Sequence, residues 1–279
     1  MVTVSEHSGF CFGVRRALEL VKKACDAGKQ VAAFGPIIHN PQVVSALEKQ
    51  GVRQLSLPEE VQQDDTLIIR THGVEVEIAA DLKRRAGEVV DATCPFVAKT
   101  HRLAKKLSEH SSLVVVGDAE HPEVRAAVSN ARGEYFIVSS IDEARYLPYR
   151  DSYGVIAQTT QSETLFEQVL DALKTRCRLL RAENTICSAT HKRVKAAVEL
   201  AKKVDVMLVV GGNNSANTAR LRCLCTAYCP KSYHIETEDG ISADCFEAEN
   251  IGITAGASTP IEHVNRVRDY ILKRKNNGK

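Results

Sequence analysis

Residues 88–102 read EVVDATCPFVAKTHR: a short valine-rich run, then Cys94, then a stretch that begins with proline and has helical periodicity. The same order of features occurs twice more, because MVTVSE leads to Cys11 and RLLRAENTI leads to Cys187. The three cysteines are spaced by about 90 residues, and self-similarity at a fixed interval is the signature of a repeated structural unit.

Two further signatures also occur three times. One is a hydrophobic strand that ends in glycine, with a polar residue four positions later: VAAFG with His39, LVVVG with His121, and MLVVG with Ser215. The other is a strand that ends in small polar residues before a helix: LIIRTHG with His72, VIAQTTQ with Thr159, and IGITAGAS with Ser258. Strands that alternate with helices at these intervals indicate parallel sheets.

We therefore predict an α/β fold, a trefoil of three pseudo-symmetric lobes around a central cavity, each lobe a small parallel sheet covered by helices. The lobes span residues 12–94, 95–187 and 188–279, and the N-terminal strand in residues 1–11 completes the third. Helices are expected to begin at four prolines. These are Pro41, Pro95, Pro122 and Pro260. The alternative is an ordinary two-lobed α/β protein whose sequence echoes arise by chance.

The composition excludes several classes of protein. A net charge of +2 on 279 residues produces no overall electrostatic attraction to nucleic acid or to an anionic membrane. No run approaches the roughly 18–20 apolar residues of a membrane span, and the N-terminus lacks the features of a signal peptide. Nine cysteines, an odd number, argue against a disulfide framework and favour metal-binding or reactive thiols. We expect a cytoplasmic protein with no nucleic-acid partner.

All the signature residues follow the carboxyl ends of strands, where ligands bind in open α/β sheets. Each also precedes a helix, whose N-terminal N–H groups and dipole favour anions such as thiolates and phosphates. Three cysteines, one per lobe, suit an iron–sulfur cluster with one iron that lacks a protein ligand. Two alternatives remain: Cys11, Cys94 and Cys187 are buried small hydrophobic residues, or they bind zinc.

Nine motifs in the same order resemble the family of 4-hydroxy-3-methylbut-2-enyl diphosphate reductases, the last enzymes of the non-mevalonate isoprenoid pathway. They are GFCFGVRRA, GPIIHNPQVV, RTHGV, DATCP, EHPEV, AQTTQ, TICSAT, GGNNSAN and TAGAST, and they span nearly the whole chain. The resemblance implies one oxygen-sensitive 4Fe-4S cluster, an allylic diphosphate substrate, and ferredoxin or flavodoxin as electron donor. It also implies loss of an allylic hydroxyl with two electrons and two protons, giving isopentenyl and dimethylallyl diphosphate.

The resemblance further assigns roles to individual residues. Cys11, Cys94 and Cys187 match the cluster ligands, and Glu123 matches the family's acid, with Thr159 as the neighbouring hydroxyl. The substrate-binding side chains of the family match His39, His72, His121, Thr159, Ser215, Asn217 and Ser258. One position departs from the family: many members have Ser-Ser-Asn where this chain has Ser215-Ala216-Asn217. Without the resemblance, the favoured interpretation of Glu123 is a carboxylate that interacts with a helix dipole.

Cys223, Cys225 and Cys229 form a C-x-C-x3-C pattern that suggests a second metal site. We expect all three on the helix after Ser215, with Leu221, Leu224 and Cys225 as its packed face. Thiols two and four residues apart on one helix converge poorly, so a structural role is favoured. Two rival functions for the whole chain remain, an iron–sulfur sensor without turnover and a non-redox hydratase with a phosphate-binding pocket.

Overall fold

The computed structural model describes residues 1–213 and 215–277, apart from the side chains of Ala216 and Asn277. Within these residues, strands alternate with helices and pair in parallel to form three four-stranded sheets. The twelve strands are β1 Val2–Val4, β2 Val31–Phe34, β3 Arg53–Leu55, β4 Thr66–Ile69, β5 Glu88–Asp91, β6 Ser112–Val116, β7 Tyr135–Val138, β8 Arg150–Ala157, β9 Cys177–Ala182, β10 Val206–Val210, β11 Ser232–Ile235 and β12 Ile251–Ala255.

The three sheets share one strand order. The first runs β3-β2-β4-β5, the second β7-β6-β8-β9, and the third β11-β10-β12-β1. The N-terminal strand therefore takes the edge position that β5 and β9 hold in the other sheets, with Val2 beside Ile251 and Val4 beside Ile253. Since each sheet is parallel and is flanked by helices, the prediction of a three-lobed α/β fold is confirmed.

The helices follow the strands in a regular alternation. They are α1 Phe12–Asp26, α2 Pro41–Lys49, α3 Val76–Arg85, α4 Pro95–Ser108, α5 Pro122–Val128, α6 Ile141–Tyr146, α7 Glu163–Leu173, α8 Ser188–Ala201, α9 Ala216–Thr226 and α10 Ile261–Asn277, with short 3-10 helices at Pro58–Glu60, Glu238–Gly240 and Ala243–Phe246. Three of the four prolines predicted to begin helices do so. Pro260 does not, because it stands one residue before α10 and its carbonyl oxygen accepts from the N–H of His263.

The chain divides into two compact units. The larger unit comprises Arg16–Ile37 and Glu48–Cys187 and contains the first two sheets. The smaller unit comprises Met1–Arg15, Ile38–Leu47 and Ser188–Lys279 and contains the third. The lobe boundaries at residues 12–94, 95–187 and 188–279 stay a prediction.

Each sheet is covered on both faces, so its central strand reads as a continuous apolar run. All five residues of β10, Val206–Val210, are fully buried in the smaller unit. In the larger unit, Leu113–Val116 of β6 and Val155–Ala157 of β8 are equally buried. Among the described residues, no helix is both long enough and apolar enough to cross a bilayer.

Candidate active site

Two of the three predicted cluster cysteines occupy matching places in the larger unit. Cys94 caps the N-terminus of α4, and its N–H donates to the carbonyl oxygen of Thr71 over 3.0 Å. Cys187 stands directly before α8, and its N–H donates to the carbonyl oxygen of Thr159 over 2.9 Å. Thr71 and Thr159 each lie two residues beyond a central strand, β4 or β8. Both thiols are half-buried.

The third cysteine repeats this arrangement in the smaller unit. Cys11 stands directly before α1, and its N–H donates to the carbonyl oxygen of Ala257 over 3.0 Å. Ala257 lies two residues beyond β12, and the thiol is again half-buried. The repeat in the sequence therefore extends to a single equivalent hydrogen bond in each lobe. Three accessible thiols at helix N-termini are a donor set that fits an iron–sulfur cluster, because that environment favours anionic ligands.

Glu123 is a buried acid in the larger unit, in the first turn of α5 and only 2% exposed. Its Oε1 accepts the N–H of Thr159 over 2.6 Å, and its Oε2 accepts the hydroxyl of Thr159 over 2.9 Å. Burial raises the pKa of Glu123 from 4.5 to about 7, while the two hydrogen bonds from Thr159 act in the opposite direction. The carboxyl group therefore exchanges a proton near neutral pH, as a general acid must.

Two of the predicted substrate-binding histidines also meet in the larger unit. The rings of His72 and His121 pack edge to face, with centroids 5.4 Å apart. His121 caps the N-terminus of α5, and its Nδ1 accepts the N–H of Glu123 over 3.2 Å. This hydrogen bond assigns the proton of the neutral imidazole to Nε2, which is thus a hydrogen-bond donor.

Ser215 caps the N-terminus of α9 in the smaller unit. Its Oγ accepts both the N–H and the hydroxyl of Thr218, over 3.2 and 2.9 Å, so its own proton is available to a further acceptor. A Cβ at Gly256 would lie 2.2 Å from Thr218 Oγ1. The loop after β12 therefore approaches this helix start as closely as only glycine allows. Asn217 lies half-buried in the first turn of α9.

His39 and Ser258 are linked in the same unit. The hydroxyl of Ser258 donates to the carbonyl oxygen of His39 over 3.1 Å. The amide of Asn40 donates to the carbonyl oxygen of Ser258 over 2.9 Å, while its Oδ1 accepts the N–H groups of Gln42 and Val43 at the start of α2. Asn40 thus caps a helix and fixes the Ser258 loop at once.

The sequence reasoning did not single out Asn40. The available signal was an asparagine directly before a proline that begins a helix, which is a preferred N-cap arrangement. That signal predicts the cap. It does not predict the contact with Ser258, because the two residues are far apart in the chain.

The side chains of the second cysteine group are inconsistent with a metal site. Cys223 is exposed, whereas Cys225 and Cys229 are buried in an apolar cluster with Met207 and Leu221. Burial raises the pKa of Cys225 to about 11, with Cys229 adding to the effect, so the ligating thiolate is disfavoured.

Two details of the prediction for this segment were wrong. Cys229 lies beyond the end of α9, which stops at Thr226. Leu224 is 37% exposed because the packed face turns toward Leu221 and Cys225. The Ala216 side chain, at the position predicted to depart from many members of the family, lies outside the described part of the chain.

Comparisons with known proteins agree along nearly the whole chain. A family model described as LytB protein matches residues 2–272. A 4-hydroxy-3-methylbut-2-enyl diphosphate reductase from Geotalea uraniireducens is 45% identical and covers 98% of this chain and 97% of its own length. The reductase of the same name from Geobacter sulfurreducens is 44% identical and covers 98% of this chain and 99% of its own.

Two solved structures are similar to this one. The first is an (E)-4-hydroxy-3-methyl-but-2-enyl diphosphate reductase, the terminal enzyme of the non-mevalonate pathway; at 37% identity it has a TM-score of 0.75 and covers 98% of this chain and 99% of its own. The second is the E-1-hydroxy-2-methyl-but-2-enyl-4-diphosphate reductase from Plasmodium falciparum. It has a TM-score of 0.90 at 25% identity and covers 97% of this chain and 87% of its own.

Proposed function

Since the chain belongs to the LytB protein family, we propose that it reduces (E)-4-hydroxy-3-methylbut-2-enyl diphosphate to isopentenyl and dimethylallyl diphosphate. The reaction breaks the allylic C–O bond, consumes two electrons and two protons, and releases water. Full-length likeness to reductases of this name supports the proposal. The structural observation that carries it is the buried Glu123–Thr159 pair, an acid with a pKa of about 7.

We assign one 4Fe-4S cluster to the chain, with Cys11, Cys94 and Cys187 as its ligands. The three thiols are half-buried and placed directly before helices, and each cysteine N–H makes the same backbone hydrogen bond in its lobe. When bound, the cluster supplies the electrons and, at the iron without a cysteine ligand, a Lewis acid for the substrate hydroxyl.

Glu123 is the proton donor in this proposal. Breaking a C–O bond expels hydroxide unless the oxygen is protonated as it leaves, so an acid within hydrogen-bonding reach lowers the barrier. Glu123 fits because burial keeps its carboxyl group protonated up to about pH 7. The hydroxyl of Thr159 donates to Glu123 Oε2 over 2.9 Å, and we assign it the task of orienting the carboxyl group and the substrate hydroxyl.

We assign the diphosphate to polar side chains that stand just before helices. These are His39 before α2, His121 before α5, and Ser215 with Asn217 at the start of α9, together with His72 and Ser258. The helix dipole favours phosphoryl oxygens at a helix N-terminus. The Ser215 hydroxyl has a proton to donate, and His121 Nε2 carries a proton because its Nδ1 accepts the N–H of Glu123.

The electron donor in this proposal is ferredoxin or flavodoxin, and the location is the cytoplasm, where nine thiols stay reduced. The donor and location rest on the family resemblance and the cysteine count.

Anaerobic turnover of the synthetic diphosphate with reduced methyl viologen tests the proposal. We expect two electrons consumed per substrate and both isomeric products, measured by viologen absorbance and by chromatography. A hydratase would convert the substrate without oxidising viologen, and a sensor would leave the substrate unchanged; either outcome refutes the proposal. Zinc in place of the cluster would leave the purified protein without visible iron–sulfur absorption.

A further inference from the structure

We propose that Arg16 and Arg193 are positioning residues for the cluster cysteines, each holding the peptide that leads into a cysteine far from it in sequence. Arg16 lies on α1, five residues after Cys11, and positions Cys94 in this proposal. Arg193 lies on α8, six residues after Cys187, and positions Cys11 in this proposal. The inference rests on the proposed function, since it gives these arginines a role only where the cysteines bind a cluster.

Arg16 binds the main chain directly before Cys94 in the larger unit. Its Nη1 donates to the carbonyl oxygen of Thr93 over 3.2 Å, and its Nη2 reaches the carbonyl oxygen of Asp91 at 3.4 Å. The Thr93 carbonyl belongs to the peptide bond that ends at Cys94. Because Asp91 Oδ1 also accepts the N–H of Thr93, the turn before the cysteine is held at both ends.

Arg193 makes the corresponding contact in the smaller unit, and it is only 4% exposed. Its Nη2 donates to the carbonyl oxygen of Gly9 over 2.8 Å, and its Nη1 donates to that of Ala255 over 2.9 Å. One guanidinium therefore joins the loop that leads into Cys11 to the end of β12. The same two segments are joined again by the hydrogen bond from Cys11 N–H to Ala257.

The approach to Cys187 is held differently. Asn184 Oδ1 accepts the N–H of Ile186, as Asp91 does for Thr93, so the turn itself is preserved. The hydroxyl of Thr185 anchors this segment to β8, since it accepts the N–H of Ala157 over 2.8 Å and donates to the carbonyl oxygen of the same residue. A threonine thus replaces the arginine, and Arg102, the only arginine on α4, lies exposed.

A guanidinium at these places has two consequences for a bound cluster. Its rigid fork of donors fixes the backbone, and with it the direction of the cysteine side chain. Its positive charge, bound to a carbonyl oxygen one or two residues before a ligand cysteine, would stabilise the negative charge of the cluster and favour reduction. The carbonyl oxygens that bind Arg16 orient its charge without neutralising it. Lysine keeps the charge but not the fork, so the two effects are separable.

The test uses the full-length chain, reconstituted anaerobically, as the variants Arg16→Met, Arg16→Lys, Arg193→Met and Arg193→Lys. The matched control is Arg102→Met, an exposed arginine on a helix that also follows a cluster cysteine. The readouts are the rate of iron release to a chelator, the reduction potential and the EPR spectrum of the reduced cluster. Urea unfolding of the cluster-free chains reports on stability alone.

We expect both methionine variants to release iron on the order of 10- to 100-fold faster, as for other residues that support metal ligands. Their reduction potentials should shift to more negative values, and lysine should restore the potential more fully than the release rate. The control should match the unsubstituted chain.

Two outcomes count against the inference. Release rates and spectra equal to those of Arg102→Met overturn it. A loss of cluster-free stability with unchanged iron release also overturns it, because the role is then only structural. If Arg193→Met does not fold, the Arg16 variants and Arg193→Lys decide the matter. An unsubstituted chain that binds no cluster refutes the proposed function instead, which separates the two failures.

Discussion

Replacing Glu123 by glutamine removes the proposed acid and almost nothing else. Glutamine has the same shape, its Oε1 still accepts the N–H of Thr159, and its amide donates to the Thr159 hydroxyl in place of the carboxylate contact. Since general acids contribute about 10²- to 10⁴-fold to a rate, we expect kcat to fall by roughly that factor while the cluster content stays normal. The assay is anaerobic turnover with reduced methyl viologen.

The same substitution should stabilise the protein at alkaline pH. The unfolded chain releases the Glu123 proton near pH 4.5, whereas the folded chain keeps it to about pH 7. The folded state therefore binds more protons between these values, and its stability falls as the pH rises through them. The pKa of Glu123 is about 2.5 units higher in the folded chain, and each unit corresponds to about 1.4 kcal/mol. At pH 8 the buried carboxylate therefore destabilises the fold by about 3 kcal/mol, and Glu123→Gln removes this effect.

The measurement is urea unfolding of the cluster-free chain and of Glu123→Gln from pH 5 to pH 8. The difference in the free energy of unfolding should grow with pH and level off above about pH 7. Turnover of the unsubstituted enzyme should decline only as the pH rises through about 7, because the acid must be protonated to act. Near-normal turnover by Glu123→Gln with an intact cluster would exclude Glu123 as the acid, and equal stability at pH 8 would exclude its raised pKa.

Three further predictions concern the other parts of the site. Cys94→Ser should abolish both the visible iron–sulfur absorption and turnover. The control Cys25→Ser removes another half-buried thiol and should change neither. A brown and active Cys94→Ser protein would contradict the ligand assignment. Asn40→Asp keeps the cap of α2 but loses the donor to the Ser258 carbonyl, so KM for the diphosphate should rise by about 3- to 10-fold. The control is Asn130→Asp, which loses an amide that donates to Ala126 and should leave KM unchanged. Equal KM values in the two variants would exclude a role for Asn40. Ser215→Ala and Ser140→Ala each remove an N-cap and should each lower the free energy of unfolding in urea by about 1 kcal/mol. Only Ser215→Ala should also raise KM. An unchanged KM would exclude Ser215 from the substrate site.

The repeated strand–cysteine–helix pattern was sufficient to predict the three sheets, because alternation of buried strands with helices has few parallel-sheet solutions. It also indicated that the first strand, before Cys11, belongs with the last part of the chain, where β1 does pair with β12. Proline marked the starts of α2, α4 and α5, since its fixed φ suits a first helical turn. The same rule was wrong at Pro260. In the sequence, a proline directly before a helix cannot be distinguished from a proline at the first position of a helix.

The site residues were identified by motif and spacing, and their roles stay predictions. What those patterns did not contain is how the side chains are arranged. Glu123 has an acid's pKa only because α5 buries it against Thr159, which lies thirty-six residues away in the sequence. Asn40 and Arg193 look unremarkable in sequence, yet each joins loops that are far apart in the chain.

By itself, then, the sequence determined the alternation of strands and helices, the repeat and the types of reactive groups, because these follow from residue type and periodicity. The folded arrangement determines which carboxyl group loses contact with water and which carbonyl oxygen each guanidinium contacts. Desolvation and hydrogen bonding depend on distances in space, and residues far apart in the chain acquire those distances only when the sheets pack.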